Sequence, residues 1–132
     1  MPSEPPLEPT VFVVDDDEAI RRALKRSLSL RGYNVAVFAS GESFLENFDS
    51  KQSGCLILDM RMPGMGGLEL QQELIRRNST LPIIFVTGHG ESQQAAKAKE
   101  NGAIDLLEKP YPVEQLFERI DRALARGVEK FD

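Results

Sequence analysis

The feature that most constrains this chain is an apolar run that ends abruptly in a carboxylate: Cys55-Leu56-Ile57-Leu58-Asp59, followed by Met60-Arg61-Met62-Pro63-Gly64. A short run of this kind, apolar without alternation and bounded by turn residues, reads as a strand covered on both faces of a parallel sheet. Gly66-Gly67 then opens an amphipathic segment. In open parallel sheets, ligands bind just beyond the carboxyl ends of the strands. Asp59 stands at such an end, so the other strand ends decide what it can do.

Thr10 to Val14 is a second uninterrupted apolar run, and it leads into four consecutive acids, Asp15, Asp16, Asp17 and Glu18. Ile20, Leu24 and Leu28, with Ala23 and Ser27 beside them, have helical spacing; Asp16 or Asp17 can cap that helix and Gly32 can stop it. Asn34 to Phe38 is a weaker strand. Ser40-Gly41-Glu42 begins a short helix with Phe44, Leu45 and Phe48, and Asp49 to Gly54 is a polar loop.

After the Asp59 strand, Leu68, Leu70, Leu74 and Ile75 predict a helix that ends near Asn78. Pro82 to Val86 is the fourth strand, running into Thr87-Gly88-His89-Gly90. Ser92 to Asn101 has helix formers but only Ala95, Ala96 and Ala98 for an apolar face, which predicts a loosely held helix stopped by Gly102. Ile104-Asp105-Leu106-Leu107 is a fifth strand interrupted by a charge and ended by Lys109-Pro110. Pro112 suits a first helical turn. Val113, Leu116, Phe117, Ile120 and Leu124 then form a continuous apolar stripe.

Strands alternating with helices give a parallel sheet with helices on both faces. The first, third and fourth strands are the most apolar and belong in the centre. With right-handed crossovers, the predicted fold is α/β: a flavodoxin-like doubly wound (βα)5 sheet, order 2-1-3-4-5, whose crevice lies between strands one and three. At 132 residues the chain is one domain long and can bury roughly two-thirds of its unfolded surface. There is no internal repeat.

Net charge is −5, which argues against nucleic-acid binding by this chain. The single cysteine, Cys55, lies inside an apolar run and reads as a small buried hydrophobe. The proline-rich stretch over 1–9 has neither the basic start nor the apolar core of a signal peptide, and no later run is long enough to span a bilayer. The expectations are a flexible arm over 1–9, no membrane association and a cytoplasmic location.

In this topology the strand ends deliver Asp15 and Asp16, Asp59, Thr87 and Lys109 to one edge. Three carboxylates in a site of low dielectric need a counter-charge. A hard divalent cation with oxygen ligands such as Mg²⁺ supplies it, and Mg²⁺ commonly binds phosphate as well. A hydroxyl from Thr87 and a point charge from Lys109 match the needs of phosphoryl oxygens during transfer. Asp59 can then act as the nucleophile that forms an aspartyl phosphate. Singly, each residue has a plainer reading: a helix N-terminus for the acidic run, a loop cap for Asp59, a turn for Thr87 and a solvated lysine for Lys109. Arriving together at one edge, they form a single chemical set.

Val13-Val14-Asp15-Asp16, Leu58-Asp59-Met60-Arg61-Met62-Pro63-Gly64, Val86-Thr87-Gly88 and Glu108-Lys109-Pro110 resemble, in this order, the motifs of the receiver domain of two-component response regulators. The resemblance covers about 10–126, leaving 127–132 as a tail or the start of a linker. It implies that Asp59 accepts a phosphoryl group from a phosphohistidine on a sensor histidine kinase or phosphotransfer protein, and that hydrolysis of the product is slow. It implies Mg²⁺, with Mn²⁺ as a substitute, ligated by Asp16, Asp59 and the Arg61 backbone carbonyl, with Asp15 helping to hold the metal. Thr87 and Lys109 would bind phosphoryl oxygens, and a cis Lys109–Pro110 bond would aim the lysine inward.

The resemblance departs from its common pattern at Leu106, three residues before Lys109, where receivers often carry an aromatic switch residue. Thr87 and a rotamer change of Leu106 are left as the switch. Its output would be the surface of the fourth helix, fifth strand and fifth helix, through which a homodimer could also form. Arg61 and His89, two residues beyond Asp59 and Thr87, flank the approach of hydrolytic water in the family, so their bulk would change the lifetime of the phosphorylated state. Thr87-Gly88-His89-Gly90 is similar to members that carry DNA-binding output domains and regulate transcription.

Two other readings compete. Haloacid-dehalogenase-type phosphatases also use an Asp nucleophile, a Thr or Ser, a Lys and an acidic pair around Mg²⁺. They need a second acid two residues past the nucleophile, where this chain has Arg61, and their acidic pair comes late in the chain. A receiver-like module that binds partners without phosphorylation is the other alternative. A flavin or nucleotide module would need a glycine-rich phosphate loop after the first strand, and none follows it.

Overall fold

The structure, a computed structural model, describes residues 8–49, 52–88 and 91–129. Residues 1–7, which carry most of the predicted arm, His89, and residues 130–132 of the predicted tail lie outside the described residues. Five strands alternate with five helices: β1 (Thr10–Val14), α1 (Glu18–Leu30), β2 (Asn34–Phe38), α2 (Gly41–Asn47), β3 (Gly54–Asp59), α3 (Gly67–Arg76), β4 (Ile83–Thr87), α4 (Ser92–Glu100), β5 (Asp105–Glu108) and α5 (Val113–Glu129). The strands form one parallel sheet in the order β2-β1-β3-β4-β5, as predicted. Among the described residues, no helix is long and apolar enough to cross a membrane.

The strands look uniformly apolar in sequence, yet their residues divide between two cores. Phe12, Val14, Leu56, Leu58 and Phe85 face α2, α3 and α4, where they meet Phe44, Leu70, Leu74 and Ala98. Val11, Val13, Cys55, Ile57, Ile84 and Val86 face α1 and α5, against Leu28, Leu116, Ile120 and Ala123. Alternate side chains of a strand point to opposite faces, so a strand covered twice must be apolar throughout. The first core includes a group of edge-on and stacked rings, Phe12, Phe38, Phe44 and Phe48, with centroids 5.0–5.8 Å apart. Cys55 is fully buried, and burial pushes its thiol up to about 12, which keeps it an inert hydrophobe.

Local chemistry sets the helix ends. The Asp17 carboxylate accepts from the Ala19 and Ile20 N–H groups and caps α1. Ser40 caps α2 through Ser43 N–H. Gly102, at φ +100°, turns the chain out of α4 in a conformation that disfavours any residue with a Cβ. The charge that interrupts β5 is paired: Asp105 Oδ2 lies 2.8 Å from Arg119 Nε on α5.

The helix predicted after β3 forms, and the structure settles which of its residues are buried. Of the apolar residues that predict α3, Leu68, Leu70, Leu74 and Ile75, the last is 49% exposed. The buried positions of that helix are Gly67, Leu70, Gln71 and Leu74, a helical i, i+3, i+4, i+7 set in which a glycine and a glutamine take inward places. Gln71 belongs there because its Nε2 donates to the Ala98 carbonyl at 3.0 Å and its Oε1 accepts from Asn101 Nδ2 at 3.3 Å. The alanine-faced α4 is therefore fastened to α3 by a buried amide as well as by Ala98.

Candidate functional site

The site forms where β1, β3, β4 and β5 end. Asp15 is the first residue past β1, and its N–H still donates to the Phe38 carbonyl of β2 at 3.2 Å, so the end of the sheet holds its backbone. Its side chain turns back, with Oδ1 accepting from Asp17 N–H at 2.9 Å, and Arg21 Nη1 donates to its carbonyl at 2.9 Å. Asp59 is the last residue of β3. The loop after it closes tightly, with Met60 N–H donating to Val86 O and Gly67 N–H to Met60 O, both at 3.0 Å. A Cβ at Gly67 would sit 2.7 Å from the Asp59 carbonyl and 2.9 Å from the Phe85 ring. Only glycine lets α3 start this close to the strand end.

Asp59 lies opposite Val86 in the sheet, which sets Thr87 one residue further along β4. Lys109 N–H donates to the Thr87 carbonyl at 2.7 Å, and the Lys109–Pro110 bond is cis. From that anchored backbone, Lys109 Nζ reaches Asp59 Oδ1 at 3.3 Å. Asp15, Asp16 and Asp59 each offer a carboxylate oxygen within 4.8 Å of the others. The structure thus gathers the predicted acids and Lys109 at one edge, with the backbone of Thr87 joined to that of Lys109.

Burial and charge work against one another here. Asp15 and Asp59 are 5% and 8% exposed, while Asp16 is open to solvent. Burial pushes the Asp59 carboxyl up to about 6; the neighbouring Asp15 charge adds to the shift and Lys109 opposes it. Asp15 is raised as well, chiefly by burial. Three carboxylates facing one lysine are short of positive charge, and a cluster of oxygen donors with that deficit fits a hard divalent cation. A cleft of about 370 Å³ opens beside Asp15, Asp59 and Lys109, walled by apolar side chains that include Ile20, Leu24, Pro110 and Tyr111.

The other predicted residues occupy distinct places. Leu106 of β5 lies opposite Phe85 and packs, half-buried, against the ring-rich core beneath α4. The Arg61 side chain points into solvent and pairs with Glu91, Nε to Oε1 at 3.4 Å. Glu91 is a buried carboxylate, 7% exposed, and its Oε2 also accepts from Gly88 N–H at 2.7 Å. Sequence reasoning missed Glu91. A glutamate at the start of a helix reads as a favourable partner for the helix dipole, and nothing in the pattern marks it as buried. Tyr111 was also missed, although its place two residues after Lys109 puts it on the wall of the cleft.

A family model for the response regulator receiver domain matches residues 11–121. The transcriptional regulatory protein TdiR of Thauera aromatica is 42% identical over 123 residues, covering 93% of this chain and 54% of that protein. The transcriptional regulatory protein FixJ of Bradyrhizobium diazoefficiens is 37% identical over 117 residues, 89% of this chain and 57% of its own length. Among solved structures, the response regulator StyR superposes with a TM-score of 0.89 at 42% identity, over 94% of this chain and 63% of StyR. FixJ-N superposes at 0.84 with 37% identity, over 90% of this chain and 95% of that one. The chain spans about half the length of these two curated relatives. With these matches running through β1 to α5 and through every strand end that carries the acids and the lysine, the chain belongs to the response regulator receiver domain family.

Proposed function

We propose that Asp59 is the phosphoacceptor of this receiver, fed by a phosphohistidine on a sensor histidine kinase or phosphotransfer protein. The observation that carries the reading is the group of three carboxylates within 4.8 Å, one of them held by a lysine at 3.3 Å. Asp15, Asp16, Asp59 and the Arg61 backbone carbonyl would hold Mg²⁺, or Mn²⁺ in its place, which when bound neutralises charge on the phosphoryl oxygens. An Asp59 carboxylate oxygen attacks phosphorus in line, an O–P bond forms and the P–N bond breaks. The leaving imidazole nitrogen keeps the bonding pair and takes up a proton. Thr87 and Lys109 bind phosphoryl oxygens, and the apolar cleft beside Tyr111 receives the donor's side chain.

The receiver unit runs over 10–126, and the phosphorylated state acts through the surface of α4, β5 and α5, which also serves homodimerisation. Thr87 and Leu106 take part in the switch. A DNA-binding output domain in a longer, cytoplasmic regulator is the reading favoured by relatives whose names mark them as transcriptional regulators. A phosphatase of the haloacid-dehalogenase type is disfavoured by Arg61, which stands where that chemistry needs an acid and is paired with Glu91.

Incubation with acetyl phosphate and Mg²⁺, followed by intact mass, tests the assignment. Wild type should gain one phosphoryl group and Asp59→Asn none. Equal labelling of both would remove Asp59 from the role.

A further inference from the structure

Glu91 is a buried carboxylate for which the phosphoryl chemistry above has no use. Its backbone carbonyl accepts from Ala95 N–H at 2.9 Å and so begins α4. Its side chain does not cap that helix. It turns back instead, one oxygen accepting from Gly88 N–H at 2.7 Å and the other lying 3.4 Å from Arg61 Nε. Gly88 directly follows Thr87, and Arg61 is two residues past Asp59. One side chain thus joins the loop after β3, the end of β4 and the first turn of α4. A cleft of about 180 Å³, lined by Met62, Gly66, Glu69 and Gln94 beside the pair, leaves both side chains room to move.

A buried carboxylate needs a counter-charge, and breaking such a pair leaves the charge uncompensated. Here the counter-charge is Arg61, whose side chain is 74% exposed and therefore weakly held. A phosphoryl group brings about two negative charges and three acceptor oxygens. The planar guanidinium fork suits such a group better than a single carboxylate contact.

Resting on the reading of Asp59 as the acceptor, we propose that Arg61 and Glu91 form a charge-exchange latch between the phosphorylation site and α4. In the unphosphorylated chain, Arg61 keeps Glu91 buried, and Glu91 holds Gly88 and the first turn of α4. Phosphorylation of Asp59 draws Arg61 away. Glu91, left without a counter-charge, moves out to solvent and releases Gly88 N–H, which frees Thr87 to approach the phosphoryl group and lets the start of α4 shift. Glu91 is a positioning residue in this scheme, and the latch supplies a coupling for which Leu106 has neither the ring nor the hydroxyl.

Amide hydrogen exchange of Gly88 and α4, with intact mass on the same samples, tests the latch in wild type, Arg61→Ala, Glu91→Gln and the double variant. Without a phosphodonor, Arg61→Ala should speed exchange about tenfold, the effect of stranding a buried charge. Glu91→Gln keeps an acceptor for Gly88 N–H and needs no counter-charge, so it should exchange like wild type. The double variant should return to the wild-type rate, a rescue that a merely structural Arg61 would not give. With acetyl phosphate and Mg²⁺, wild type should gain exchange in α4 and Glu91→Gln should gain less. Wild-type exchange in Arg61→Ala, a double variant as fast as Arg61→Ala, or an undiminished response in Glu91→Gln would each overturn the latch. Absence of a phosphoryl group on wild type in the mass spectrum would instead count against the acceptor reading, and the donor-free comparison would still decide the latch.

Discussion

At the carboxyl edge of β1 and β3 the fold buries Asp15 and Asp59 close to one another and to Asp16, and the ion pair formed there is with Lys109. Around α4 it buries two other polar side chains, Gln71 and Glu91, and gives each a geometric match: Ala98 O and Asn101 for the amide, Gly88 N–H and Arg61 for the acid. The first region holds like charges together at a cost to the fold. The second satisfies its polar groups and uses them to fasten a helix with little apolar surface. A buried polar group with matched partners is architecture, whereas a buried cluster with a surplus of one charge is a site waiting for something to bind.

The contrast breaks most readily at Asp59. Its carboxyl titrates at about 6 in the folded chain against an ordinary 3.8. A raised carboxyl favours the protonated fold, so its ionisation costs nothing below the unfolded value and reaches its full cost above the folded one. That difference corresponds to about 3 kcal/mol. Asp59→Asn should therefore stabilise the metal-free chain by about that amount at pH 8, and the gain should fade as pH falls from 6 to 4. Urea unfolding with a chelator present measures it; a gain that does not depend on pH would remove the buried charge of Asp59, beside that of Asp15, as the cause.

A cation should offset the same cost. At ten times its dissociation constant, Mg²⁺ should stabilise wild type by about 1.4 kcal/mol at pH 8. It should do much less for Asp59→Asn or Asp16→Asn, and thermal melts with and without Mg²⁺ give the comparison. At the other region, Gln71→Leu should cost about 1 kcal/mol, because the Ala98 carbonyl keeps Ala103 N–H but loses the amide donor and Asn101 Nδ2 loses its acceptor. Its exchange signature should be confined to α4 and leave the response to Mg²⁺ unchanged. A loss of the Mg²⁺ response in Gln71→Leu would show that the two regions are not separate.

The regions also differ in how legible they were in sequence. The strands were readable because each apolar run is covered on both faces, and the acid site was readable because four strand ends carry members of one chemical set. Asp17 and Ser40 announced their caps. The α3–α4 seam was opaque. Gln71 interrupts the apolar stripe of α3, and only the position of Ala98 O explains why an amide is wanted there. Glu91 was opaque for a related reason: its partners, Gly88 N–H and Arg61, come together only once the two loops have folded beside each other.

On the proposed function, the buried acid at the end of β3 carries phosphate. Reductive trapping locates it directly: the chain is incubated with acetyl phosphate and Mg²⁺, treated with borohydride, digested and sequenced by mass. An acyl phosphate at Asp59 is reduced to homoserine, so homoserine is expected at position 59 with Asp15 and Asp16 unmodified. Homoserine at another acid, or at none, would contradict it.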